Sequence, residues 1–194
     1  MSFLKNLDKY QIILASKSPR RQNLLKELNI DFSIVTKEVE EVYPDNLVKE
    51  DIPVYLAQIK ASAFSGDIAD NTLIITADTI VWVDNTILGK PENYDDAFKM
   101  LQTLSGNVHT VYTGVCIKTK EKTEIFYAKT DVFFKNLSND EIEYYLKKYK
   151  PFDKAGSYGI QEWIGYVGIE KINGSYFNVM GLPVQMLYEK LKEF

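Results

Sequence analysis

The stretch "SKSPRR" at residues 16–21 places two arginines where an apolar strand gives way to a helix. A helix N-terminus already presents unpaired N–H groups and partial positive charge, so Arg20 and Arg21 there cost the helix roughly a few tenths of a kcal/mol. The arrangement makes sense if an anion sits on it. A phosphate would be held by backbone amides, the hydroxyls of Ser16 and Ser18, and a guanidinium fork. The competing reading has Ser18 simply capping the helix, with solvated arginines. No G-x-x-x-x-G-K-[ST] occurs, so this is not a P-loop.

Four other stretches carry reactive types. In "IITADTIV", Asp78 follows an apolar run, and a buried carboxylate is costly unless it meets a metal or a hydrogen-bond partner. Strand ends in open α/β sheets are where ligands bind, although a strand-terminating turn acid reads the same way. The D-x-D-x-T of haloacid-type phosphotransferases is missing. Lys90 in "LGKP" stands on a turn set by Gly89 and Pro91, where most lysines are solvated. Glu38, Glu40 and Glu41 in "EVEE" come at an expected strand end. Alternate acids on a strand share a face, and Mg²⁺ takes one or two carboxylates plus phosphate oxygens; a solvated acidic edge is the alternative. In "DKAGSYGIQ" and "NGSYFNVMGLP", close glycines with Tyr158 would let a flat ring approach the backbone while Gln161 reads its edge. Tight turns packing aromatics into the core are the other reading, which suits Tyr176 and Phe177 better than Gln161.

The elements that position these residues follow from pattern. Residues 10–15 read as a strand, and Pro19 opens a helix with Leu24, Leu25 and Leu28 at helical spacing. "FSIVTKEVEEVY" is expected as a second strand and "DIPVYLAQIKASAFSG" as a helix closed by Gly66. "TLIITADTIVWVDNTILGKP" holds two apolar runs, the first entering Asp78 and the second turning near Asp84 and Asn85. "NYDDAFKMLQTLSG" and "SNDEIEYYLKKY" are helices with acids early, and "HTVYTGVCIKT" and "EIFYAKTDVFF" are long strands. The expectation is α/β, with a mixed, twisted sheet and flanking helices.

Composition narrows the classes. The chain has 194 residues, a net charge of −4, one Cys and one His. One His is too few for a His-rich zinc site, and Cys116 has no internal disulfide partner. The acidic balance argues against binding a nucleic acid polymer, and no apolar run approaches the ~20 residues of a membrane span. "MSFLKNLDKYQII" lacks the features of a cleavable leader, so a cytoplasmic location is expected.

Taken in order, S-x-S-P-R-R, E-V-E-E, A-D-T, L-G-K-P, L-S-G, D-K-A-G-x-Y-G-I-Q and G-S-Y-x-N-V-x-G-L-P resemble the Maf family of nucleoside triphosphate pyrophosphatases, over nearly the whole chain. "ADT" together with "YGIQ" is similar to the branch that acts on dTTP and UTP; D-Q after the strand would mark the 7-methyl-GTP branch. The resemblance implies one Maf/ITPase-like domain over residues 1–194, elongated and two-lobed around a central cleft, and a homodimer. It implies hydrolysis between the α and β phosphates with Mg²⁺ or Mn²⁺. By position, it gives catalytic roles to Asp78, Glu40, Lys60 and Lys90, with Asp78 matching the proton acceptor, a metal-ligand role being the alternative for it, and Glu40 as a metal carboxylate. Ser16, Arg20, Arg21, Thr79 and Gln161 match substrate positions. Alternatives are the same chemistry on 7-methyl-GTP or another noncanonical nucleotide, and a noncatalytic nucleotide-binding regulator of septum formation. The chain departs from the family pattern at Glu162 and Trp163, where glycine is common.

Overall fold

The first apolar run forms β1 (Gln11–Leu14), and Pro19, with no N–H to leave unpaired, opens α1 (Pro19–Lys26). In the computed structural model, which describes residues 4–66 and 68–194, Ser18 caps α1 by accepting the Arg21 N–H. β2 (Ser33–Ile34) pairs parallel with β1 and stops there. The expected second strand therefore ends before its acids. Residues 35–50 form no helix or strand, so the strand alternation that would put Glu38 and Glu40 on one face does not apply.

The helix α2 (Asp51–Ser62) ends four residues before Gly66. β3 (Thr72–Val83) then departs from expectation, because one strand of 12 residues passes through Asp78 instead of ending at it. It reverses at Asp84 and Asn85, whose φ values of 48° and 60° suit a tight hairpin, into antiparallel β4 (Thr86–Leu88). Next come α3 (Tyr94–Leu104), β5 (Val108–Lys118), β6 (Thr123–Phe134) and α4 (Asn139–Tyr149). The glycine- and aromatic-rich segment resolves into α5 (Trp163–Gly168), β7 (Ile169–Asn173) and α6 (Tyr176–Val179), and α7 (Val184–Lys192) ends the chain. The sheet has seven strands in the order β2-β1-β3-β5-β6-β7, with β4 on β3. β1 is parallel to β3 and β7 antiparallel to β6, so the architecture is α/β with a mixed sheet and flanking helices. No helix among the described residues is long and apolar enough to cross a membrane.

The chain divides into two compact units, and β3, β5 and β6 each give residues to both. The first comprises the chain up to Asp78, Thr113–Ala128 and Gly181–Phe194. Here Ala57 and Ala61 of α2 pack on Cys116 of β5, and burial pushes the Cys116 thiol up to about 11. The contact needs Gly114, because a Cβ there would lie 2.3 Å from the backbone carbon and oxygen of Pro53. α2 is thus set directly on the β5 backbone.

The second unit comprises Thr79–Tyr112 and Lys129–Met180. Its core includes Val81, Leu101, Val132, Phe134, Tyr145 and Ile164. α3 is capped by Asn93 and α4 by a Ser138–Glu141 capping box, each satisfying otherwise orphaned N–H groups. Tyr176 and Phe177 do not enter the core, being 38% and 45% exposed. The reason is polar: α6 has four residues and turns Asn178 inward, where its Nδ2 donates to the Val111 carbonyl at 3.1 Å and to Thr130 Oγ1 at 3.0 Å. Pairing that amide nitrogen turns the aromatics outward.

His109 is buried against Phe134 and Tyr158, with Nε2 2.7 Å from the Tyr158 hydroxyl. Burial pushes its pKa from 6.5 down to about 3, slightly offset by Asp131. Between those values the unfolded chain binds a proton that the folded chain refuses. The resulting stability is complete above about pH 6.5 and is lost as pH falls toward 3, at up to about 1.4 kcal/mol per unit. Tm is therefore expected to fall between about pH 7 and pH 5, and to fall less steeply in His109→Gln. Equal slopes in the two proteins would remove His109 as the source.

Candidate active site

In the first unit, the turn after β1 buries Ser16, whose Oγ accepts the Ser18 N–H at 3.2 Å, while Gln22 Nε2 donates to the Ser16 carbonyl at 3.1 Å. The loop is thereby shaped before any ligand arrives. Arg21 is not a solvated cation. Its Nε donates to the Gly181 carbonyl at 2.7 Å and its Nη1 to the Ala77 carbonyl at 2.8 Å. Burial pushes the guanidinium pKa down, Asp78 pulls it back up, Arg20 lowers it and Glu41 raises it. A guanidinium remains charged under these conditions, so Arg21 brings fixed positive charge to the carboxylates while tying α1 to β3. Arg20, half-buried on the same turn, adds a second cation.

Asp78 is the centre of this group. It is buried on β3, and Lys60 Nζ donates to its Oδ1. The pair is well shielded, with 17% and 11% side-chain exposure. Lys60 also meets Glu41 Oε1 at 2.9 Å. One rung away, Thr76 Oγ1 donates to the Ala57 carbonyl at 2.6 Å. Residues 76 and 78 share a face of β3, and Ala57 and Lys60 are one turn apart on α2. Strand alternation and helix pitch therefore coincide at the ion pair. Thr79, next in the chain, leaves the opposite face of β3.

The acid that meets Lys60 is Glu41; both Glu40 and Glu41 are exposed. Sequence reasoning named both and placed the role on Glu40; without a regular strand, nothing in the local pattern distinguishes them. Among the described residues no group of three or more His, Cys, Asp or Glu could hold a metal alone. The donors present are one or two carboxylates beside a cation, which fits a hard divalent ion that arrives on phosphate oxygens and not a resident protein cage.

In the second unit, Lys90 is exposed on the loop between β4 and α3, and that loop is pinned where Gly156 N–H donates to the Gly89 carbonyl at 3.0 Å. Gln161 is half-buried, and its Oε1 is fully buried with no hydrogen-bond partner. Beside it, Tyr145 donates its hydroxyl proton to Glu162 Oε2 and accepts the Gly159 N–H at 3.0 Å. Lys154 Nζ lies 3.0 Å from Glu162 Oε1 and 2.8 Å from Asp153 Oδ1. This network escaped sequence reasoning, although Glu162 had drawn notice as a departure.

A family model described as Maf-like protein matches residues 11–194. Proteins named dTTP/UTP pyrophosphatase from Parabacteroides distasonis and Phocaeicola vulgatus are each 56% identical, covering 98% of this chain and 100% and 99% of their own. A protein of that name from Flavobacterium psychrophilum is 56% identical over 95% of this chain and 94% of its own.

Proposed function

From the premise that this chain belongs to the Maf-like protein family, we propose that it hydrolyses dTTP and UTP to the nucleoside monophosphate and pyrophosphate. The observation that carries the reading is the buried Asp78–Lys60 pair with Glu41, in a chain 56% identical to dTTP/UTP pyrophosphatases along almost its whole length. A carboxylate kept beside fixed cations is poorly suited to simple anion binding, since it repels phosphate. It suits a step in which an attacking water gives up a proton, which the carboxylate accepts.

In this reading, Ser16 and Arg20 with the backbone amides of the turn bind the polyphosphate, and Arg21 stabilises the turn from within while adding positive charge. Lys60 orients the Asp78 carboxylate. Asp78 aligns a water and takes its proton as the water oxygen attacks the α phosphorus. The bond from that phosphorus to the bridging oxygen breaks, and pyrophosphate leaves with the charge that Lys60 and Lys90 help to neutralise. Asp78, with Glu40 or Glu41, would hold a Mg²⁺ or Mn²⁺, which supplies charge neutralisation and polarisation of the anhydride when bound. Gln161 reads the base, with Thr79 as a further residue tied to substrate choice. The reaction draws on nucleotide pools, which favours a cytoplasmic protein.

The test is pyrophosphate release from dTTP, UTP, CTP, 7-methyl-GTP, ATP and GTP with Mg²⁺ or Mn²⁺. Turnover should be fastest with dTTP and UTP and should disappear with a chelator. A preference for 7-methyl-GTP would overturn the base assignment, and no turnover of any nucleotide would favour a regulator over an enzyme.

A further inference from the structure

Thr76 is fully buried on β3, against the part of α2 where Ala57 and Ala61 pack on Cys116. Its Oγ1 lies 2.6 Å from the Ala57 carbonyl oxygen and 3.5 Å from that of Cys116, so its one proton goes to Ala57. That carbonyl does not need it. Inside α2 it already takes the N–H four residues on, as a mid-helix carbonyl does. A valine would fill the same volume, suit a strand at least as well and leave no buried donor to satisfy. The hydroxyl is therefore surplus to packing and to backbone pairing, and what it adds is direction.

No side chain caps the N-terminus of α2, and the close approach of Gly114 to Pro53 limits distance without fixing rotation. The Thr76 bond ties a point on the helix to a point on the strand. Onward from it, two residues along β3 reach Asp78 and three along α2 reach Lys60, whose Nζ donates to Asp78 Oδ1. The hydroxyl bond and the ion pair are thus successive rungs between one strand and one helix. We propose that Thr76 is a positioning residue, its hydroxyl setting the register of α2 on β3 so that Lys60 meets Asp78. The inference rests on the nucleotide reading above and deepens it. The flexible lysine stem does not make the register irrelevant, because Lys60 has a competing acid in Glu41 at 2.9 Å, with a side chain 55% exposed. A helix free to turn lets the ammonium follow Glu41 and leaves the Asp78 carboxylate unoriented.

The experiment compares the intact chain as wild type, Thr76→Val, which keeps the shape and loses the hydroxyl, and Thr76→Ser, which keeps the hydroxyl. It measures kcat and KM for UTP by pyrophosphate release, and the urea midpoint of Thr76→Val with and without Lys60→Met. Thr76→Val should lower kcat about tenfold with little change in KM, and Thr76→Ser should keep most of the wild-type kcat. The midpoint shift caused by Thr76→Val should be much smaller once Lys60→Met has removed the pair, since residues serving one interaction are not additive. A purely structural role would shift both midpoints alike and leave kcat per folded molecule unchanged. A kcat loss below about threefold in Thr76→Val, an equal loss in Thr76→Ser, or the same midpoint shift in both backgrounds would overturn the proposal. A wild type that hydrolyses no nucleotide would instead overturn the hydrolytic reading, and the midpoints alone would then decide whether Thr76 sets the pair. Should Thr76→Val not fold, as judged by circular dichroism, Thr76→Ser against Thr76→Ala poses the same contrast without the methyl group.

Discussion

Asp78→Asn should reduce kcat for dTTP and UTP on the order of a thousandfold or more while leaving the chain folded. The substitution preserves shape and removes the carboxylate proposed to take the proton of the attacking water. Its structural consequence is softened by the surroundings. Breaking a buried pair by deleting one partner commonly costs about 3–5 kcal/mol, because the other charge is left stranded. Here Lys60 retains Glu41 at 2.9 Å and is itself partly exposed, and an asparagine oxygen still accepts from it. A stability loss nearer about 1 kcal/mol is therefore expected. Pyrophosphate release and urea denaturation, measured on the same preparation, separate the two effects. A folded Asp78→Asn with kcat within tenfold of wild type would remove Asp78 from the chemistry.

The largest effect on stability is expected from a single methyl group on β5. Gly114→Ala would put a Cβ 2.3 Å from the carbon and oxygen of Pro53 and 2.4 Å from the nitrogen of Val54. All three atoms are backbone, so no side chain can swing away. Either β5 or the first turn of α2 must move, at about 3 kcal/mol or more. A drop in the urea midpoint with an unchanged m-value would register it. Because α2 carries Lys60, activity should fall beyond what the lost folded fraction explains. Wild-type stability in Gly114→Ala would mean that the close approach is not a constraint.

Local chemistry made several elements legible. Pro19 after Ser18, the Asn93 and Ser138 caps with acids behind them, and the turn at Asp84 and Asn85 each leave a signature within a few residues, because caps and tight turns are satisfied locally. Asp78 could be picked out as unusual, but not as a mid-strand residue. A carboxylate interrupting an apolar run looks like an ending unless its partner is known, and that partner lies on a helix earlier in the chain. The choice between Glu40 and Glu41 depends on the path of a segment without helix or strand, which no periodicity encodes. Arg21 shows the same limit, since its partners are the carbonyls of Ala77 and Gly181, and carbonyls have no residue type to read. Tyr176 and Phe177 misled because aromatic composition suggests burial, while Asn178 had the stronger demand for interior partners.

β3 has an evolutionary consequence. Ile74 and Ile75 belong to one unit, Val81 and Val83 to the other, and Asp78 lies between them on the same uninterrupted strand. Selection on packing in either unit therefore acts on the backbone that carries the Asp78 carboxylate. Substitutions that a lineage could accept as neutral repacking elsewhere become epistatic with the Lys60–Asp78 pair here.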